Sequence, residues 1–108
     1  MLIRNTVFFL ILEEAMHLND IKLEVRKLIL ETLSIEDIQP EEISTEISLL
    51  SGENTITIDS IDVLEVVVAI QKKFEVKIHD QNHARLIVNT VDTIADFIQS
   101  QYPEKEQS

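Results

Sequence analysis

The chain has 108 residues, 44% of them apolar and only 5% aromatic, enough for one domain with a core of Ile, Leu and Val. One glycine and two prolines are too few for an all-β protein or for the glycine-rich loops that bind nucleotide phosphates, and with no cysteine there are no disulfides or zinc–thiolate sites. The net charge of -11 repels nucleic acid and anionic lipid, and it favours protein partners with basic surfaces.

The N-terminal residues contain a short apolar run from Val7 to Leu12. It is much shorter than the about 20 residues that span a bilayer. Glu13 and Glu14 stand where a signal peptide needs small residues. We therefore expect a cytoplasmic protein with no stable membrane insertion, in which residues 1–16 are a disordered or loosely docked extension, or precede an alternative start at Met16.

The first helix is predicted to begin at Asn19, which can cap it, and to end near Ser34. Its apolar residues recur at the spacing of one helix face. These residues are Ile21, Val25, Leu28, Ile29 and Leu33.

A long connection with weak periodicity follows, from Ser34 to Asp59. Pro40 can start a short helical turn, and the segment from Ser51 to Asn54 is the strongest turn signal of the chain. We expect its aliphatic residues to anchor the connection across a helical core. They are Ile35, Ile38, Ile43, Ile47, Leu49 and Leu50.

The second helix is predicted over residues 60–74, because Asp59 is a suitable N-cap and an apolar run follows. Steps of 100° per residue place Val66 toward the polar edge and Val68 near the boundary of the two faces. The same steps define the apolar face, which consists of Val63, Leu64, Val67, Ile70 and Phe74.

The last third of the chain predicts a short helix within the region from Asp80 to Val88 and a final helix capped by Thr90. Tyr102-Pro103 should end that helix, and residues 103–108 form a polar tail. The predicted fold is all-α, a small four-helix bundle of three longer helices and one short helix, with a long first loop.

The stretch that begins Asp59-Ser60-Ile61-Asp62 and runs to Phe74 resembles the signature of acyl carrier proteins. Their signature is Asp-Ser-Leu-Asp, followed by an amphipathic helix with an acidic outer face and a closing Phe. The helix order, the acidic first loop and the final helix also fit, so that the resemblance covers roughly residues 17 to 101. It implies a carrier domain over residues 17–102 that is monomeric and not itself an enzyme.

By this resemblance, Ser60 carries 4'-phosphopantetheine through a phosphodiester, with Asp59 beside the attachment point. The arm would supply the thiol that the chain lacks. Asp59, Asp62, Glu65 and Val68 would then contact the phosphopantetheinyl transferase and the enzymes that load and transfer the acyl group. From the residues alone, the favoured interpretations are that Ser60 is an ordinary cap or first-turn residue and that the acids form a solvated helix face.

Helical phase also suggests a pocket for part of an acyl chain, between the second helix and the short one. We expect Val63, Leu64, Val67 and Ile87 to line it. Thr57-Ile58 before the signature and Lys72-Lys73 late in the helix depart from the family pattern. These departures leave the pathway open between housekeeping fatty-acid synthesis and a specialised one.

Three other interpretations remain open on the residues. The main one is an unmodified helical module of carrier fold that docks a basic partner through its acidic second helix. His79 and His83 flank Asp80 in a near match to a zinc motif that lacks a third ligand. A hydrolase built on Ser60 would need a glycine-rich nucleophile elbow, which is absent from the sequence.

Overall fold

Four α-helices make up the bundle that the computed structural model describes, over residues 18–101. They are α1 (Leu18–Thr32), α2 (Ser60–Phe74), α3 (Gln81–Ile87) and α4 (Val91–Ser100). No strand occurs within residues 18–101, and the predicted all-α fold of three longer helices and one short helix is confirmed. The predictions for residues 1–16, for Tyr102-Pro103 and for residues 103–108 lie outside the described residues.

Helix α1 is already formed at Leu18, so the prediction that Asn19 caps it is wrong. Its C-terminus lies close to the predicted position. Ser34 adopts a left-handed conformation (φ 57°), its N–H donates to the Glu31 carbonyl, and the Ile35 N–H donates to the Leu30 carbonyl over 2.9 Å. This Schellman arrangement satisfies the last carbonyls of the helix and turns the chain into the connection.

The core forms where α1 packs against α4 and α2, while α3 bridges α2 and α4. Every helix and the connection contribute aliphatic side chains to one continuous cluster. The largest fully buried members are Ile29, Ile43, Leu49, Ile70, Ile94 and Ile98. Within residues 18–101, no helix is both long enough and apolar enough to cross a membrane.

The connection between α1 and α2 lies across this core, as predicted, and Pro40 begins a 3-10 helix that ends at Glu42. Only some of the predicted anchors are buried. Ile43 and Leu49 are fully buried, whereas Ile47 and Leu50 are each 40% exposed. Ile56 and Ile58 are also buried, whereas Thr57 between them is exposed, so that alternate side chains face the core here.

Asn54 is a buried polar residue that organises the connection. Its side-chain oxygen accepts from the Ser44 N–H (3.0 Å), and its amide donates to the carbonyls of Ser44 (3.0 Å) and Ile47 (2.8 Å). Buried backbone groups that lack a helix or sheet need such partners. Asn54 therefore holds a loop without regular structure in one conformation.

Backbone hydrogen bonds tie the same connection to the link between α3 and α4. The Leu49 N–H donates to the Asn89 carbonyl (2.7 Å), and the Ile58 N–H donates to the Leu49 carbonyl (2.9 Å). Ile58 immediately precedes the N-cap of α2. The start of α2 is thus held in place on its C-terminal side by the helix that follows and on its N-terminal side by the hydrogen-bonded connection.

Helix α2 spans the predicted residues, but its buried face is rotated relative to the prediction. Val66 is fully buried, whereas Leu64, assigned to the apolar face, is 47% exposed. The remaining predicted core positions Val63, Val67, Ile70 and Phe74 are buried. Because α1 and α3 both pack against α2, the buried arc extends toward Val66 and away from Leu64.

Candidate functional site

Ser60 is the first residue of α2 and is exposed. The residue before it, Asp59, is the N-cap, with extended backbone angles (φ -105°, ψ -174°). Its Oδ1 accepts from the Asp62 N–H (2.8 Å), and the Asp62 Oδ2 accepts from the Asp59 N–H (3.1 Å). This reciprocal capping box confirms the predicted N-terminus of the helix.

The capping box leaves the Ser60 hydroxyl without a structural role. Asp59 is the cap, so Ser60 is a first-turn residue and not the N-cap. The Ser60 hydroxyl has no hydrogen-bond partner among residues 18–101. An exposed hydroxyl on a fixed helix start is accessible to a modifying enzyme.

An open pocket of about 430 Å³ lies beside Ser60. The connection, the start of α2 and helix α3 all contribute to its wall. Its lining residues are Leu50, Thr57, Ile58, Asp59, Ser60, Val63 and Arg85. The pocket therefore joins apolar surface, an exposed hydroxyl and charges of both signs.

The residues predicted to line an acyl pocket lie in three different environments. Val63 lines the pocket beside Ser60. Val67 (8% exposed) on α2 and Ile87 (5%) at the end of α3 are buried in the core and do not line this pocket. Leu64 points outward, with 47% of its surface exposed, so its assignment to the inner face is corrected. The cause is the rotation of the buried arc of α2 described above.

The outer face of α2 combines apolar and acidic residues. Ile61 (68% exposed), Leu64 and Val68 (49%) lie at i, i+3 and i+7 and form one stripe, which we call the outer stripe. Glu65 is exposed beside it, and Asp62, partly exposed, follows on the same side. Val68, which helical spacing placed near the boundary of the two faces, is thus on the exposed side.

The histidine segment before α3 has a local structural role. Asp80 caps α3, and its Oδ1 accepts from the His83 N–H (2.7 Å). The His83 ring packs edge-on against Phe97, with centroids 5.8 Å apart. Across the described part of the chain, no three His, Cys, Asp or Glu side chains are grouped to hold a metal ion.

Proteins similar to this chain include several that are named acyl carrier protein. One from Buchnera aphidicola subsp. Acyrthosiphon pisum (strain 5A) is 30% identical over 88 residues, which is 82% of this chain and 100% of the relative. Another, from Campylobacter curvus (strain 525.92), is 35% identical over 75 residues, or 69% of this chain and 83% of the relative. The chain belongs to the acyl carrier protein family. No protein-family model matches the chain.

Membership of this family fits the four-helix fold and supports a carrier role. Two further relatives of the same name from Buchnera aphidicola subsp. Acyrthosiphon pisum, strains Tuc7 and APS, are each 30% identical over 82% of this chain. These alignments cover the full length of each relative. The family assignment therefore does not depend on the Asp59–Ser60 motif alone.

The sequence prediction missed several residues around the site. Leu50 was expected to be a core anchor, and Thr57, Ile58 and Arg85 were given no role in the pocket, although all four line it. The alternation of Ile56 and Ile58 is a period-two signal for an extended segment leading to the cap. No local signal identifies Arg85, because its place beside Ser60 depends on how α3 packs against α2.

Proposed function

We propose that the chain is a carrier whose Ser60 bears a 4'-phosphopantetheine arm, and that an acyl or aminoacyl intermediate is attached to this arm as a thioester. The exposed, unpartnered hydroxyl of Ser60 at the first residue of α2 is the observation that carries this proposal. Partner enzymes of fatty-acid, lipid or secondary-metabolite biosynthesis would load and remove the cargo.

The local structure suits a phosphodiester at this position. The first turn of a helix has N–H groups without intrahelical partners and the positive end of the helix dipole, both of which stabilise an attached phosphate. Asp59 already caps the helix through its side chain, so modification of Ser60 removes no structural hydrogen bond. The lack of cysteine is consistent with an arm that supplies the reactive sulfur.

We further propose that partner enzymes dock on the outer face of α2. Asp59, Asp62 and Glu65 would face basic residues of the partner, and Val68 would add an apolar contact. Charge complementarity of this kind accelerates association and weakens with salt. The first of these partners would be the phosphopantetheinyl transferase, which must reach Ser60.

The test is modification of the intact chain. The chain is co-expressed with a broad-specificity phosphopantetheinyl transferase, and the mass of the purified protein is measured by intact-mass spectrometry. We expect the mass of the chain to increase by that of one phosphopantetheine. Ser60→Ala should abolish this increase, and Ser51→Ala should leave it unchanged. Ser51 is a suitable control because it is an exposed serine in the connection that leads to α2.

The alternative is an unmodified module that docks a basic partner through α2. The outer stripe and the neighbouring acids would serve such a module equally well, because docking needs no prosthetic group. A chain that stays unmodified with several transferases supports this alternative, provided that a known carrier is modified in the same assay.

A further inference from the structure

Arg85 is the one basic residue among those that line the pocket beside Ser60. It lies on α3 and is exposed, while Ser60 and Asp59 contribute to the wall from the start of α2. The chain as a whole has more than twice as many acidic as basic residues. A cation in the pocket that contains the proposed attachment point is therefore an exception to the acidic character of the molecule.

Arg85 has no ion-pair partner within residues 18–101, in contrast to several other cations. Lys22 pairs with Asp92 over 2.9 Å, and Lys27 and Lys73 both contact Glu24. Among the described residues, one carboxylate lines the same pocket, that of Asp59, and its Oδ1 accepts from the Asp62 N–H. The guanidinium thus remains available to an anion that enters the pocket.

We propose that Arg85 binds the phosphodiester of the arm on Ser60. This inference rests on the proposed function and adds a specific binding residue to it. The phosphorus would be bonded to the Ser60 oxygen, and its two free oxygens would be offered to Arg85, which lines the same pocket as Ser60. A guanidinium presents paired N–H donors that match phosphate oxygens, and such charge-assisted bonds are stronger than neutral ones.

The contact offsets an electrostatic cost and directs the arm. A phosphodiester on Ser60 adds a negative charge beside Asp59 and Asp62, and repulsion would push it outward. Arg85 attracts the same group toward α3, across the mouth of the pocket. The first part of the arm would therefore begin over the apolar wall formed by Ile58 and Val63 rather than in free solvent.

The test compares the apo and arm-bearing forms of the full chain by NMR. We expect the side-chain Nε–H signal of Arg85 to shift on modification and the shift to decrease at high salt. In Arg85→Gln, the apo-to-modified shift differences of the Thr57 and Ile58 amides fall by about half or more, and Arg85→Lys retains part of them. Lys77→Gln is the matched control, since Lys77 is an exposed cation that does not line the pocket.

The outcomes separate the two proposals. If intact mass shows no arm on Ser60, the proposed function fails and the assignment of Arg85 fails with it. If the arm is present but the Arg85 signal does not move and Arg85→Gln behaves like the control, only the assignment of Arg85 is overturned. A shift that occurs only with a carboxylate-bearing cargo, and not with the bare arm, also overturns it, because the anion bound would then be the cargo.

Discussion

Asp59 combines two roles that single substitutions can separate. Its side chain caps α2 by accepting from the Asp62 N–H, and its charge is part of the surface proposed for partner enzymes. Asn can accept the same capping hydrogen bond without the negative charge. Residue 59 therefore offers a way to measure the structural role and the charge separately.

We expect Asp59→Ala to lower the free energy of unfolding by about 0.5–2 kcal/mol, because the cap is lost, and Asp59→Asn to change it much less. Both variants should be modified more slowly by the transferase, since both lose the charge. Urea unfolding and initial rates of modification give the two readouts. Equal stability of the Ala and Asn variants would contradict the capping role.

How far single residues can be predicted depends on how local their interactions are. Asp59 and Thr90 were predicted as caps because each bonds to a backbone N–H three residues later. The role of Asn54 was not predictable, since its partners lie at Ser44 and Ile47, in a segment without periodicity. Arg85 was missed for a similar reason, because its position reflects the packing of α3 against α2.

Helix α2 shows which part of an element the sequence determines. Its limits follow from the cap at Asp59 and from Phe74, but the centre of its buried face depends on its neighbours. Ideal helical spacing gave Leu64 to the core and Val66 to the edge, and the structure reverses both. Helical spacing determines the angle between two side chains around the helix axis. It does not determine which side chains the neighbouring helices cover.

This reversal predicts a difference in stability. Val66→Ala should lower the free energy of unfolding by about 2 kcal/mol, from lost burial and the cavity left behind, because Val66 is fully buried. Leu64→Ala removes more atoms, yet it should cost less than about 1 kcal/mol, since the side chain is half exposed. Urea denaturation of both variants measures the difference. A larger loss for Leu64→Ala would contradict the observed phase of α2.

The outer face of α2 predicts a charge-dependent interaction with the modifying enzyme. Glu65 is exposed and makes none of the hydrogen bonds or ion pairs found in residues 18–101, so its substitution should leave the fold intact. Glu65→Lys should lower kcat/KM of the transferase by about tenfold at low salt, equivalent to about 1.4 kcal/mol.

Glu36→Lys provides the control for that prediction. It makes the same change of charge at an exposed residue outside α2. We expect its effect on kcat/KM to be small, and we expect salt to reduce the difference between the two variants. An equal loss in both variants would mean that only net charge matters and that α2 is not the docking surface.

At the scale of the whole molecule, the fold places apolar surface next to the attachment point. The connection anchored by Leu49 and Ile58 closes one side of the pocket beside Ser60, and Val63 continues its wall into the core. The sequence was sufficient to predict four helices, their order and the long connection. It was not sufficient to predict the lining of this pocket, of which only Val63 was expected, because three separate segments form it.

The pocket predicts that cargo stabilises the bundle. Protein carrying a long acyl chain should melt at a higher temperature than protein carrying acetyl, because buried methylenes add free energy to the folded state only. A gain of about 1 kcal/mol corresponds to roughly 4–8 °C for a domain of this size. Differential scanning calorimetry measures it, and identical melting temperatures for the two cargoes would show that the chain is not sheltered.

The proposed function depends on a covalent arm on the Ser60 oxygen. Peptide fragmentation of the chain, after co-expression with a transferase, tests it most directly by locating the added mass. We predict that the mass lies on Ser60, in the peptide that contains Asp59 and Asp62, and that fragmentation releases a pantetheine fragment from that peptide alone. An added mass on another residue, or none while a known carrier is modified in parallel, would contradict the account.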